Sequence, residues 1–309
     1  MTKYTPTVTK SQCYEIAKYA MKCQSFGDMA TMLRMVASTI PSDKRNGWKY
    51  HLLKAANCFD SGKPSSSIFA KNGNTKLRFV AFSTLPIVTC PGAGACGGIA
   101  NIGEQPDLKK AYCYSLKAWR YPAAFIRQLS NTLLLRFARD TILSEFNALP
   151  KNIVLRLYVD GDFSSVEVSQ FWFDALRGRP DIKCYGYSKS WRILAKIDTI
   201  PGNYVLNLSS GGIDDRDDVL RNYLKSREFV RGEFVAIVTK LSHGKGAAKY
   251  SDPEYHRDVR QSAIDAGVGR VFSCPGRCFS CLGNGRHACG ATDDNGKPLV
   301  SIPIAIGIH

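Results

Sequence analysis

From residue 153 to residue 243 the chain alternates short apolar runs with segments of helical period, a pattern that few architectures accept. Its sharpest unit is Ile153-Val-Leu-Arg-Leu-Tyr-Val159, apolar or aromatic at every position but Arg156. A run that short and that apolar reads as a strand covered on both faces, as in a parallel sheet. It ends in Asp160-Gly161-Asp162, two carboxylates around a residue that permits an unusual turn. In βα folds the carboxyl ends of strands are where catalytic groups are usually placed. Two acids there make this the first candidate site.

The alternation continues on both sides. Helices are expected at Val166–Arg177, closed by Pro180, at Trp191–Ile197, at Asp217–Lys225 and at Tyr255–Ala266. Strands are expected at Ile182–Tyr187, Tyr204–Leu208, Phe234–Thr239 and Arg270–Phe272, with a tight turn at Ser209-Ser-Gly-Gly212. An earlier strand, Lys76–Ser83, brings the count to about six βα units. The expected fold class is therefore α/β, a partial or complete (β/α) barrel. A doubly wound sheet is the alternative, but no Gly-x-Gly-x-x-Gly fingerprint follows the first strand.

Residues 11–40 carry apolar side chains at helical spacing and read as two core-packing helices broken at Ser25-Phe26-Gly27. Asp60–Ser67 is a loop by its breakers, and Pro122 opens a long helix to about Leu149. Three units follow: an N-terminal helical region over 1–75, a catalytic (β/α) domain over 76–272, and a Cys-rich metal knuckle with a terminal strand over 273–309.

Charge narrows the function. The 42 Lys and Arg against 26 Asp and Glu leave a net +16, an excess that suits a polyanionic partner, and nucleic acid is the usual one. Lys109, Lys110, Lys117 and Arg120 are interleaved with Tyr112, Tyr114, Trp119 and Tyr121, which suits phosphate contact and base stacking. Strand-end Lys189 and Tyr187, with Ser210 and the basic glycine-rich loop holding Lys240, Lys245 and Lys249, are the candidate substrate contacts. The chain opens on polar residues and has no run near the roughly 20 apolar residues that a membrane span needs. A soluble, cytoplasmic protein is expected.

In that compartment the eleven cysteines are ligands or free thiols before they are disulfides. Cys274-Pro-Gly-Arg-Cys278-Phe-Ser-Cys281, followed by His287 and Cys289, places four thiols in sixteen residues among glycines and cations. That density points to zinc or an iron–sulfur cluster on Cys274, Cys278, Cys281 and Cys289, with His287 as the alternative fourth ligand. Cys90, Cys96 and Cys113 form a looser second group, and Cys13, Cys23 and Cys58 read as buried thiols. Asp160 and Asp162 are the catalytic acids, as nucleophile or general base. Asp214 and Asp215 follow another strand end, at Ser209-Ser-Gly-Gly212, and are equally placed to cap the next helix near its positive end.

Thr89-Cys-Pro-Gly-Ala93 with Cys113-Tyr114, Tyr158-Val-Asp-Gly-Asp-Phe163, Tyr185-Gly-Tyr-Ser-Lys189 and the terminal Cys-rich stretch resemble phage-encoded proteins labelled gene product 88. They also resemble phage DNA-guanine transglycosylases, distant relatives of the tRNA-guanine transglycosylases, over roughly residues 78–292. That second resemblance implies a (β/α) barrel, an aspartate nucleophile at Asp160 or Asp162, and zinc on the C-terminal cysteines. The implied reaction exchanges guanine in DNA for a 7-deazaguanine such as preQ0, in the host cytoplasm if the gene is phage-encoded. The chain departs from that family in its Cys-x3-Cys-x2-Cys spacing and in lacking a clear Gly-Gly substrate loop. Two rivals remain. Cys-x3-Cys-x2-Cys is also the spacing of radical S-adenosylmethionine enzymes, although there it follows the first strand, whereas here it follows the last. A metal-stabilised DNA-binding protein of replication is the non-enzymatic reading.

Overall fold

The computed structural model describes residues 8–41, 47–70, 79–241, 243, 247–276, 281–282, 287–295 and 297–308. Three helices open the chain: α1 (Lys10–Lys22), α2 (Phe26–Thr39) and α3 (Trp48–Asp60). The break expected at Ser25-Phe26-Gly27 is real and has a local cause, because Ser25 Oγ caps α2 by accepting from the Asp28 amide. Helix α3 is an addition to the sequence reading. Its aromatic and basic residues give no clean stripe, yet Trp48, Leu52, Ala55 and Phe59 are buried. Cys13 and Cys23 are buried as expected, while Cys58 is only half-buried.

The segment from Pro122 is two helices, not one. After the short α4 (Ser115–Ala118), α5 (Pro122–Phe137) ends at Ala138, whose φ of −151° and ψ of 56° leave the helical region. Helix α6 (Arg139–Asn147) then resumes. Arg139 Nε donates to the Leu135 carbonyl at 2.7 Å, so a side chain takes the acceptor that a continuing helix would have used. One side of α5 packs on α1–α3 through Phe125, Leu129 and Leu133, and Leu134 and Leu135 face the sheet. Between them Gln128, Ser130, Asn131 and Thr132 are all buried. Asn131 Nδ2 donates to the carbonyls of Ile68 and Ser83, and Thr132 Oγ1 accepts from the Leu85 amide. This polar seam fastens the loop that leaves the first strand.

The described strands are β1 (Val80–Ala81), β2 (Val154–Leu157), β3 (Lys183–Ser188), β4 (Tyr204–Ser209), β5 (Val230–Val238), β6 (Phe272–Ser273) and β7 (Ile304–Ile308). They form one sheet, parallel at every pairing, in the order β1-β2-β3-β4-β5-β7-β6. Strands β1 to β5 stand in chain order without the reversal that defines a doubly wound sheet. Helices α5, α6, α7 (Val166–Arg177), α8 (Trp191–Leu194) and α9 (Asp218–Lys225) bury against one face, on Leu155, Leu157, Cys184, Leu206 and Leu208. Helix α10 (Pro253–Asp265) extends that layer over Val235, Ile237 and Ala305. The terminal strand anticipated after the cysteines is β7, inserted between β5 and β6. Strand β5 starts four residues ahead of its expected place, because Arg231 is buried inside it and breaks the apolar run.

The opposite face of the sheet is aromatic and polar. Arg156 lies 4.7 Å from the Tyr187 ring and 5.7 Å from the Phe79 ring, and Tyr187 packs edge-on against Phe234 at 4.9 Å. The C-terminal segment covers this face. His287 sits 4.4 Å from Tyr185, and Asn207 Nδ2 donates to the Cys289 carbonyl at 2.8 Å. Arg231 Nη1 donates to the carbonyls of Val300 and Ile302, both at 3.0 Å. The described part of the Cys-rich stretch from His287 to Cys289 thus plugs this face of the sheet, called the inner face below.

Candidate active site at the carboxyl ends of the strands

Strand β2 stops two residues before its apolar run does, at Tyr158, whose φ is +54°. A positive φ is strained for tyrosine, and such strain concentrates at functional sites. It turns the ring onto the helical face, where the hydroxyl accepts from Trp172 Nε1 at 3.1 Å. The next residues, Asp160-Gly161-Asp162, are thereby aimed over the end of the sheet. Gly161 has φ +81°, and a Cβ there would lie 1.9 Å from Thr84 Oγ1, so only glycine fits.

The two aspartates have different surroundings. Asp162 is buried and accepts from Ser188 Oγ at 2.7 Å, the Lys189 amide at 2.7 Å and the Phe163 amide at 2.8 Å. Burial raises its pKa, and these donors with the Lys189 charge oppose the rise. Asp160 is half-buried. Its Oδ2 accepts from Gln128 Nε2 at 2.9 Å, and Gln128 is oriented by Trp119 Nε1 at 2.9 Å. Burial raises Asp160 too, against the hydroxyls of Ser115 and Ser83, Gln128 and the Arg156 charge. The run Gln128 to Thr132 in an otherwise apolar helix was the signal that could have found this support.

Over the two aspartates lies the loop that carries the looser cysteine group. Its glycines let backbone meet backbone. A Cβ on Gly92 would stand 1.7 Å from the Lys189 carbonyl oxygen, and one on Gly94 would stand 2.5 Å from the Gly212 carbonyl carbon. Ala93 bridges Gly212, the Cys96 amide donates to Gly211 O at 3.1 Å, and the Cys113 amide donates to Cys96 O at 2.9 Å. The loop is thereby laid across the ends of β3 and β4. Cys90, Cys96 and Cys113 come within electrostatic reach of one another and of Asp162. Burial pushes the Cys90 thiol well up, reinforced by Asp162 and the other two sulfurs. Burial also raises Cys96, against the nearby Lys189 charge. Among the described residues no three His, Cys, Asp or Glu side chains converge closely enough to hold a single metal ion.

The other candidates fall into place around this centre. Lys189 Nζ donates to Ser209 Oγ at 2.7 Å. Ser210 is a sheet brace, accepting from the Ala236 amide at 2.9 Å. Tyr187 faces the plug, near Cys289 and under Arg156, and burial raises its pKa. The expected helix caps are reassigned. Asp214 pairs with Arg192 at 2.7 Å and Asp215 accepts from the Gly211 and Gly212 amides, while Asp217 caps α9 through the Leu220 amide at 2.9 Å. Lys240 pairs with Asp265, and Lys249 lies over the Tyr250 and Tyr255 rings. Lys245 is outside the described residues. Cys274, Cys281 and Cys289 gather around Ala288, Val300 and Ile304, and Cys278 lies outside the described residues. Cys281 Sγ accepts from the Ala288 amide at 3.1 Å. His287 is buried against Tyr185, its pKa pulled down to about 4 by burial and the Arg156 charge.

Beyond β5, buried Asp258 accepts from the Lys240 and Leu241 amides, Ser262 Oγ and His243 Nε2. Burial would raise its pKa, but these partners together hold it at about 2, below its ordinary 3.8. A lowered carboxylate contributes stability above its unfolded pKa and loses that contribution as pH falls through the folded one. Urea midpoints are expected to drop between about pH 4 and pH 2, with a shallower drop in Asp258→Asn. Identical slopes in the two proteins would refute that account.

The sequence profile of the gene product 88 family matches residues 54–293. The chain belongs to that family. The match runs from within α3, through the thiol loop and the strand ends, to the segment that plugs the inner face. This bears out the phage-type resemblance read from the motifs. No curated protein and no solved structure matches the chain. No helix among the described residues is long and apolar enough to cross a membrane.

Proposed function

We propose that this chain is an iron–sulfur enzyme of the radical S-adenosylmethionine type acting on nucleic acid, with Cys90, Cys96 and Cys113 as cluster ligands. The observation behind the reading is that these thiols gather at the carboxyl ends of parallel strands, on the segment that follows the first strand. Their spacing is not Cys-x3-Cys-x2-Cys, so placement is the argument and not motif. Cys90, Cys96 and Cys113 are close enough to act on one another electrostatically, and their thiolates would be the residues that hold such a cluster. A cluster held by these three thiolates would supply a site for an outside ligand. When bound, such a cluster supplies one electron at low potential to a sulfonium seated beside it.

The chain's own residues prepare that site. Burial favours the protonated form of the Cys90 and Cys96 thiols, and cluster assembly would displace those protons. Lys189 favours the thiolate form of Cys96, and Asp162 fixes Lys189 through its backbone amide. The C-terminal Cys274, Cys278, Cys281 and Cys289 would hold the structural zinc, on the ground of four thiols within sixteen residues. The net +16 supports nucleic acid as the polyanionic substrate.

Base exchange is the second reading, and the half-buried Asp160, placed at a strand end with Gln128 donating to it, favours it. In that reaction its carboxylate attacks the sugar C1′ as guanine leaves, and a 7-deazaguanine then displaces the enzyme.

Metal and sulfide analysis of protein purified without oxygen separates the two readings. The wild type is expected to hold about four iron and about one zinc per chain. Cys90→Ala/Cys96→Ala/Cys113→Ala should lose the iron and keep the zinc, and should no longer split S-adenosylmethionine under reduction. An iron-free wild type after anaerobic reconstitution would overturn the cluster. Guanine exchange that survives in this triple variant and vanishes in Asp160→Asn would move the function to the aspartate.

A further inference from the structure

The third thiol of the site lies in a segment whose charge is one-sided. From Leu108 to Arg139 there are seven Lys and Arg and no Asp or Glu. Lys109, Lys110, Lys117 and Arg120 of this segment are exposed. Three tyrosines flank Cys113 with unusually open rings: Tyr112 at 40%, Tyr114 at 56% and Tyr121 at 55% exposure. Apolar rings left this open within ten residues need an explanation beyond ordinary surface.

Two of the rings are fixed at their hydroxyl ends. Tyr114 donates to the Val159 carbonyl, next to Asp160. The Tyr112 hydroxyl lies against Gly211, where a Cβ would stand 2.2 Å from it. Each ring is thus anchored at the rim of the site with its body outward. Arg120 lies 5.1 Å from the Tyr121 ring. Lys249, from beyond β5, comes near enough to Lys117 for that charge to depress its pKa, after burial as the larger cause. Like charges gathered from distant parts of the chain mark a place prepared for an anion.

We infer that this ledge binds single-stranded nucleic acid and leads one unpaired base to the thiol site. Fixed aromatic faces stack on unpaired bases, and interleaved cations follow the phosphates. A duplex offers the same phosphates but hides its base faces. An acidic peptide would use the cations and leave the three rings idle. This inference names the substrate of the proposed reaction and rests on that reading only for the chemistry, since binding itself requires no cluster.

The test is fluorescence anisotropy with end-labelled DNA and RNA of mixed sequence, single-stranded and duplex, on the full chain across a salt series. Single strands are expected to bind at least about tenfold more tightly than duplex of equal length. Tyr114→Leu with Tyr121→Ser should weaken single-strand binding roughly tenfold or more, while Tyr121→Phe, which keeps the ring, binds as the wild type does. Lys109→Gln with Lys117→Gln should lower the salt slope by about 0.7 for each phosphate contact removed. The DNA and RNA arms show which backbone is taken. Equal affinity for single strand and duplex, or full affinity in the double tyrosine variant, would overturn the ledge even if iron is present. Ledge-dependent binding by an iron-free protein would keep the ledge and remove the cluster.

Discussion

Gly92→Ala is expected to unfold at a markedly lower urea concentration than the wild type and to lose bound iron with it. The added Cβ would stand 1.7 Å from the Lys189 carbonyl oxygen, 2.3 Å from its carbon and 2.9 Å from the Ser190 nitrogen. All three are backbone atoms at the end of β3, so no side-chain rotation relieves the overlap. Either the thiol loop lifts off or the end of β3 moves, and the latter also carries Ser188 and the Lys189 amide away from Asp162. Strain of that kind costs on the order of 3–5 kcal/mol. Gly202→Ala is the control, since nothing lies within 4 Å of its Cβ position, and it should stay within about 0.5 kcal/mol of the wild type. A wild-type urea midpoint with full iron content in Gly92→Ala would mean that the loop does not dock on β3 as described.

The same loop shows what was legible in the sequence and what was not. The alternation of apolar runs with helical segments predicts the parallel βα sheet, because strand periodicity is a local property. Helix ends at Ser25 and Pro122 were legible for the same reason. What the chain does not announce locally is partnership. Nothing near Cys90 says that Gly92 will meet Lys189, or that Asp215 will fold back on Gly211 and Gly212 instead of capping α9. Arg231 interrupts an apolar run and so delays the expected start of β5, yet it is buried because Asn207 and two distant carbonyls accept from it. The cysteines illustrate the limit most clearly. The dense C-terminal group draws the eye by spacing, whereas the loose group acquires meaning only when the strand order places it at the carboxyl ends. Its spacing carries no signal, because the contacts that bring it together, Gly92 on Lys189 and Cys96 on Gly211, are set by the fold and not by distance along the chain.

Asp160 and Asp162 look equivalent in the sequence, and their substitution is expected to separate them. Asp162→Ala removes the acceptor of Ser188 Oγ and of the Lys189 and Phe163 amides in a buried place. Each stranded donor costs about 1–3 kcal/mol, so a loss of roughly 3–5 kcal/mol is expected after partial relaxation. Asp160→Ala leaves Gln128 and its hydroxyl neighbours nearer to water and should cost less than half as much. Asp162→Asn adds a test that turns on sign. Burial raises the Asp162 pKa in the folded chain. A raised acid contributes its full stability below the unfolded pKa and loses it as pH rises through the folded one. The neutral amide carries no such loss, but its NH2 faces a donor at every pH. The stability gap between wild type and Asp162→Asn should therefore be widest in acid and narrow as pH rises above about 4. A gap that widens with pH would mean that the donors outweigh burial and that Asp162 is lowered, a carboxylate built to stay charged. A normal urea midpoint in Asp162→Ala with all activity gone would mark it as a reacting group and not the tie between β2 and β3.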